Sequence, residues 1–153
     1  MQTREIVNSW LQDIGKKLNT HLFLEDSGLC VLNWKDDVEI IIEVPEEGNR
    51  IYLYSPLLDL SLYNEKEKLF EMVLRSGFLG KETGCASFGI DEDNNYLMLW
   101  YSFLAPTVDV IGFENVLGNF ILMAYIWKKR LLEKDFSFEN SKAEELANFN
   151  LKV

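Results

Sequence analysis

The stretch Leu29–Ser55, LCVLNWKDDVEIIIEVPEEGNRIYLYS, decides the fold. Three runs rich in β-branched and aromatic residues are separated by two short polar segments, Lys35–Asp37 and Pro45–Asn49. Short connections of this kind are typical of turns between antiparallel strands. The stretch therefore predicts an antiparallel meander with strands at 29–34, 38–44 and 50–55.

The second of these strands has one apolar face and one mixed face. Val38, Ile40, Ile42 and Val44 alternate with Glu39, Ile41 and Glu43, so the first set is expected in the core. Ile41 lies among glutamates, and Tyr52 and Tyr54 point the same way on the third strand. A partly apolar, acid-rimmed surface is a candidate binding patch. The alternative is that these aromatic rings only cover the backbone.

Helical periodicity appears on both sides of the meander. Apolar residues recur at helical spacing over Thr3–Leu18, with Thr3 as the expected N-cap, and again over 65–75 and 109–133, with Asp109 as the expected cap of the last helix. Strands are predicted at 85–90 and 96–104. The order α-β-β-β-α-β-β-α predicts an α+β single domain, a twisted, mainly antiparallel sheet with helices packed on it.

The second half of the chain carries more apolar side chains than one small domain needs. The strand 96–104 is apolar on both faces, and the helix 109–133 is apolar almost all round. Such a strand is covered on both sides, and in so small a chain another subunit is a candidate for the second cover. Such a helix is either deeply buried or partly covered by a partner. The domain is expected to span 1–134. A polar tail follows at 135–153, where Ser141 and Glu144 have capping-box spacing for one short helix.

Composition and charge exclude several classes of protein. The chain has 153 residues, 48% of them hydrophobic, and 25 acidic against 15 basic side chains give a net charge of −10. That length corresponds to one domain, and that charge disfavours nucleic acid as a partner. The first residues do not resemble a signal peptide, and the longest apolar run, Phe120–Trp127, is too short to span a bilayer. A cytoplasmic protein without membrane insertion is expected, with Cys30 and Cys85 reduced and buried.

No motif for catalysis, a metal or a cofactor is complete. Gly80-Lys81 lacks the upstream glycine and the following Ser or Thr of a phosphate loop, and Asp91-x-Asp93-x-Asn95 lacks the glycine and closing glutamate of a calcium loop. His21 is the only histidine. A pair with a nucleophile stays open for it, but a surface or structural role is the ordinary explanation. The sequence predicts no enzyme, no metal and no cofactor.

Order, length and acidity together resemble a known family. The segments Gly28–Leu32, Ile42–Glu46, Leu53–Leu58 and Gly84–Asp91, followed by the apolar strand and Phe113-x3-Leu117-x2-Phe120-x6-Trp127-x3-Leu131, are similar to class I chaperones of bacterial type III secretion, the Tir-chaperone-like family. The resemblance covers about residues 3–134. Leu104-Ala105-Pro106 departs from the leucine-proline-leucine entry usual before the last helix.

The resemblance implies a cytoplasmic homodimer that binds the N-terminal segment of secreted effectors, keeps it locally unfolded and presents it for export. It leaves secretion-apparatus components open as further partners, and a transcriptional regulator as an alternative partner in an adaptor or anti-activator role. By position, it implies a dimer interface at Leu69, Met72, Val73, Leu97, Leu99 and Tyr101. It implies effector binding at Trp10, Ile14, Leu32, Trp34, Ile41, Tyr52 and Tyr54.

Overall fold

The computed structural model describes residues 2–35, 37–64 and 66–133, which form three α-helices and a five-stranded sheet. The predicted α+β order is confirmed. The predicted C-terminal tail lies outside the described residues. In chain order the elements are α1 (Thr3–Lys17), β1 (Leu29–Trp34), β2 (Val38–Glu43), β3 (Arg50–Asp59), α2 (Lys66–Gly77), β4 (Ser87–Asp91), β5 (Tyr96–Leu104) and α3 (Val110–Leu132).

The sheet is antiparallel throughout, with strand order β1-β2-β3-β5-β4. β1 and β4 are therefore its edge strands. Alternation along β2 places Val38, Ile40 and Ile42 in the core, as predicted, and α3 packs over β2 and β3 on that side. Side chains at the alternate positions of these strands point to the side of the sheet opposite α3. We call this opposite side the outer face.

β3 is longer than the predicted 50–55. The strand continues through Pro56 to Asp59, and its pairing with β5 is irregular between Pro56 and Leu58. Its pairing with β2 ends at Tyr54, so the missing N–H of Pro56 does not interrupt that ladder. The sheet therefore accommodates Pro56 within β3.

The ends of two other elements also differ from expectation. Gln2, rather than Thr3, is the N-cap of α1, and the Thr3 hydroxyl instead donates a 3.0 Å hydrogen bond to the carbonyl oxygen of Gly48. β4 begins at Ser87 because Cys85 takes a positive φ of 69° in the preceding turn. Cys85 is exposed, whereas burial was expected for both thiols; Cys30 is buried, which raises its pKa.

α3 begins as predicted, with the Asp109 carboxylate accepting a 2.8 Å hydrogen bond from the Gly112 amide. Within the described ranges it is the helix whose length and apolarity would suffice to cross a membrane. The buried residues Phe113, Phe120 and Trp127 give that apolarity a different explanation, because they belong to the hydrophobic core of the domain.

Among the described residues, β5 is covered on one face only, whereas cover was expected on both. Leu97, Leu99 and Phe103 are buried, while Trp100 on the outer face is 40% exposed.

Candidate functional site

An apolar groove of about 480 Å³ lies on the helix side of the molecule, between α1, β1 and α3. We call it the helix-side groove. The end of α1 and the second half of β1 form one wall, and a face of α3 forms the other. Its apolar lining consists of Ile14, Leu18, Leu32, Trp34, Leu117, Ile121, Leu122, Tyr125 and Ile126.

The rim of this groove is basic, although the chain as a whole is acidic. Among the described residues, Lys17, Lys35, Lys129 and Arg130 line it against Glu114 and Glu133. Lys17 is paired with Glu114 at 2.5 Å, and the buried Arg130 lies against the Trp127 ring. At the accessible rim, exposed Lys35 and Lys129 therefore outnumber the exposed Glu133. The acidic rim expected beside Ile41, Tyr52 and Tyr54 does not occur at this groove, where local charge favours acidic ligands.

The groove adjoins an edge of the sheet. Leu32 and Trp34 lie on β1, which is an edge strand and pairs with β2 alone in the described sheet. At the start of β1 the Glu25 amide donates a 2.8 Å hydrogen bond to the Leu29 carbonyl oxygen, so residues before the strand flank that end. The second half of β1 therefore offers the edge at which an extended segment could add while its side chains enter the groove.

The outer face carries a second apolar surface of opposite charge. Tyr54 lies directly opposite Trp100 across the β3–β5 pair, and a depression of about 440 Å³ contains Tyr52, Tyr54, Met98, Trp100, Glu43 and Asp91. We call these residues the outer-face patch.

Two hydrogen-bonded groups set the charge of the outer-face patch. The Tyr54 hydroxyl donates to Glu43 at 2.8 Å, and burial together with this carboxylate raises the Tyr54 pKa. The Asn94 side-chain amide donates to Asp91 at 2.7 Å and lowers the pKa of that carboxyl group. The outer-face patch therefore contains two carboxyl groups, Glu43 and Asp91, that accept hydrogen bonds.

The residues predicted for effector binding are divided between these two surfaces. Ile14, Leu32 and Trp34 line the helix-side groove. Ile41, Tyr52 and Tyr54 lie on the outer face, so the predicted residues do not form one continuous groove. Trp10 belongs to neither surface, since its half-buried ring packs against Phe113 at a centroid distance of 5.4 Å.

The residues predicted for the dimer interface lie mostly inside the chain. Leu69, Leu97 and Leu99 are at most 1% exposed, Val73 is 4% and Met72 is 7% exposed, and the half-buried Tyr101 stacks on Phe103. These side chains contribute to the core of the single chain. Their dimer role stays a prediction, and any contact from these elements would use their exposed neighbours.

Those neighbours form an apolar surface that the sequence did not single out. Leu74 on α2, Phe78 and Leu79 in the following 3-10 turn, and Ile90 on β4 are 74%, 71%, 69% and 53% exposed. α2 packs against both the 3-10 turn and β4. We call these residues the α2–β4 patch. The sequence signal for this patch was the pair of large apolar residues between Gly77 and Gly80. Side chains in so short a loop seldom reach the core.

The described residues show where the rejected chemical motifs lie. Asp91 accepts hydrogen bonds from the backbone amides of Asp93 and Asn94, an arrangement typical of a strand turn. His21 is exposed in the loop that follows α1. Within the described ranges, no group of His, Cys, Asp and Glu side chains could hold a metal ion.

Comparisons with known proteins agree on the fold. The model of the Tir chaperone protein (CesT) family matches residues 9–128. A chain of the ExsC-ExsE complex is 21% identical with a TM-score of 0.72, covering 84% of this chain and 96% of that chain.

Two further structures are similar. A chain of the HopA1-SchA chaperone-effector complex is 15% identical with a TM-score of 0.64, covering 83% of this chain and 96% of that chain. A chain of the heterodimeric ExoU-SpcU complex from the type III secretion system of Pseudomonas aeruginosa is 16% identical with a TM-score of 0.59, covering 83% and 95%. No curated protein matches the sequence significantly.

Proposed function

The chain belongs to the Tir chaperone protein (CesT) family, and we propose that it binds the N-terminal segment of a secreted effector in the helix-side groove. It is a chaperone of type III secretion, because its family is a family of chaperones. In this proposal it acts in the bacterial cytoplasm as a homodimer, keeps the bound segment locally unfolded and presents it for export.

The observation that supports this proposal is the position of the groove beside a sheet edge. An extended segment beside the second half of β1 would gain main-chain hydrogen bonds, while its alternate side chains would contact Leu32, Trp34 and Ile121. Ordering an unfolded segment costs conformational entropy, and a preformed apolar groove offsets that cost. Lys35 and Lys129 would favour segments with acidic residues next to the apolar ones.

A homodimer would use the α2–β4 patch. Its four exposed apolar residues lie on α2, which the family resemblance implies, and on the turn after it and β4. β4 is the sheet neighbour of β5, the late strand that the resemblance implies. Apolar side chains exposed together on a soluble chain favour association. The same contact would account for surplus apolar area in the second half of the sequence.

The test is the capture of client proteins by full-length variants. Trp34→Ala in the helix-side groove should weaken binding of the captured effector segment by about tenfold or more, because a half-buried aromatic anchor typically carries a large share of binding energy. Trp100→Ala removes a tryptophan from the outer-face patch and is the matched control, with near wild-type affinity expected.

The opposite ranking of the two variants would place the client on the outer face and overturn the proposed groove. Recovery of a transcriptional regulator with no exported protein would instead favour the adaptor role, since both functions need an apolar groove. Circular dichroism and thermal unfolding of each variant would separate lost binding from lost folding.

A further inference from the structure

The helix-side groove lies next to the point at which the described chain ends. Lys129, Arg130 and Glu133 from the last turn of α3 and its C-cap line the groove. The 20 residues 134–153 follow directly. The C-terminal segment therefore begins at the rim of the groove, which makes it the nearest covalently attached candidate for its occupant.

The first residues of that segment match the groove in pattern and in charge. Asp135-Phe136-Ser137-Phe138-Glu139 places two phenylalanines at alternate positions between acidic residues. Alternate side chains of an extended segment point to the same side, so both rings could enter one groove. The acidic residues would then face the basic rim at Lys35 and Lys129. The outer-face patch, with Glu43 and Asp91, would repel the same segment.

The end of α3 also has the correct position for this docking. Lys128 donates a hydrogen bond from its ammonium group to the backbone carbonyl oxygen of Asp37, which follows β1 in the turn to β2. The chain after α3 therefore starts near the C-terminal end of β1. A segment that ran back from there beside Trp34 and Leu32 would be antiparallel to β1 and would pass the half of that edge that Glu25 does not flank.

We propose that residues 135–139 dock in the helix-side groove of their own chain, with Phe136 and Phe138 as the anchors. Tethering gives the segment a high effective concentration at the groove, so that weak intrinsic affinity suffices. Burial of two rings is largely offset by the entropy lost in ordering the segment, so the docking is readily reversible. The docked segment shields the groove; displacement by a client follows only if the proposed function is correct.

Site-specific photocrosslinking in the full-length chain tests the docking without any client. A photoreactive benzophenone amino acid at position 138 should crosslink within one chain to peptides of β1 and α3 that line the groove. The same amino acid at position 149, further along the segment, is the matched control and should give several-fold less of that product. Crosslinks from position 138 to the outer face, or none to the groove, would overturn the proposal.

The mass of the product separates two arrangements. A crosslinked product with the mass of one chain supports docking within the chain, whereas groove crosslinks found only in a product of two chains would overturn it. Charge reversal supplies a second measurement: Lys35→Glu with Lys129→Glu should reduce the yield several-fold, and adding Asp135→Lys with Glu139→Lys should restore it. Failure of the restoration, with the fold intact, would contradict the proposed charge pairing.

Because the crosslinking measurements contain no client, they can fail while effector binding is confirmed. Equally, effector binding can fail while the crosslinks confirm the docking. If both hold, addition of the captured effector segment should lower the crosslink yield from position 138.

Discussion

The indole N–H of Trp127 donates a 3.0 Å hydrogen bond to the backbone carbonyl oxygen of Glu82. Trp127 is fully buried near the C-terminal end of α3, and Glu82 lies in the glycine-containing segment between α2 and β4. Phe88 of β4 packs edge-on against the same ring at a centroid distance of 4.8 Å. One side chain therefore joins the long helix to the edge of the sheet that carries the α2–β4 patch.

Trp127→Phe should lower the free energy of unfolding by about 2–4 kcal/mol, because the smaller ring leaves a cavity and the Glu82 carbonyl loses its donor. Urea unfolding followed by circular dichroism would measure the loss. Trp100→Phe on the outer face, where the side chain is 40% exposed, is the control and should change stability by less than about 1 kcal/mol. Equal losses in the two variants would contradict the role assigned to Trp127.

Gly28 and Gly48 form a natural pair for separating backbone strain from steric clash. Both have positive φ, 87° and 93°, so alanine at either position incurs about 1–2 kcal/mol of left-handed strain. A Cβ at Gly28 would lie 2.4 Å from the Val44 carbonyl oxygen and from the Arg4 guanidinium, whereas a Cβ at Gly48 would have no neighbour within 4 Å among the described residues.

Gly28→Ala should therefore lower the free energy of unfolding by about 1–3 kcal/mol more than Gly48→Ala does. It would displace Arg4, whose guanidinium donates hydrogen bonds to the carbonyl oxygens of Val44, Asp26 and Ser27 and so holds α1 against the sheet. Denaturant titration of both variants gives the comparison. Indistinguishable midpoints would show that the Arg4 contacts adjust without cost.

Tyr54 should make stability depend on pH in the alkaline range. Its pKa in the folded chain is raised above the ordinary value of 10.0, chiefly by burial and also by the Glu43 carboxylate. The stability that this tyrosine contributes is therefore fully present below pH 10 and declines as the pH rises toward the folded-state pKa. In Tyr54→Phe the decline should be shallower.

Urea midpoints on both sides of pH 10 would measure this difference. Tyr52→Phe removes a tyrosine from the same strand without removing the hydrogen bond to Glu43, so it should retain the decline of the wild-type chain. A Tyr54→Phe profile parallel to the wild-type profile would refute the linkage.

Charged substitutions in the α2–β4 patch should prevent self-association. Leu74→Glu with Phe78→Glu places two charges on side chains that are 74% and 71% exposed, so the monomer should fold normally while a dimer contact would have to bury both carboxylates. Light scattering should then report a monomer. Ile111→Glu, at another exposed apolar position on α3, is the control and should remain dimeric. A wild-type chain that scatters as a monomer at micromolar concentration would refute the homodimer itself.

Local patterns predicted the elements because those patterns depend on periodicities of two and about 3.6 residues. The alternation along Val38–Val44 predicted both β2 and the face that it buries, and Asp109 marked the start of α3. The errors occurred where a distant residue decides the outcome. Pro56 remains inside β3 because β2 pairs no further than Tyr54, and Thr3 contacts Gly48 rather than capping its own helix.

The candidate site could be predicted only in part. The family resemblance implied Ile14, Leu32 and Trp34, and these three residues line one groove. The α3 side of that groove was not named, because a helix that is apolar almost all round does not reveal which side chains the sheet will cover. Net charge was equally uninformative about the rim, since a total of −10 does not determine where Lys35 and Lys129 lie.

By itself, the sequence determined the fold class, the order of the elements and the buried face of β2, because strict alternation along a strand decides the direction of each side chain. Only the tertiary structure decided that Trp34 and Tyr54 serve opposite surfaces, that Leu69 and Leu99 are interior while Leu74 and Phe78 are exposed, and that the groove has a basic rim. These properties depend on which elements pack against each other, and that packing joins residues far apart in the chain.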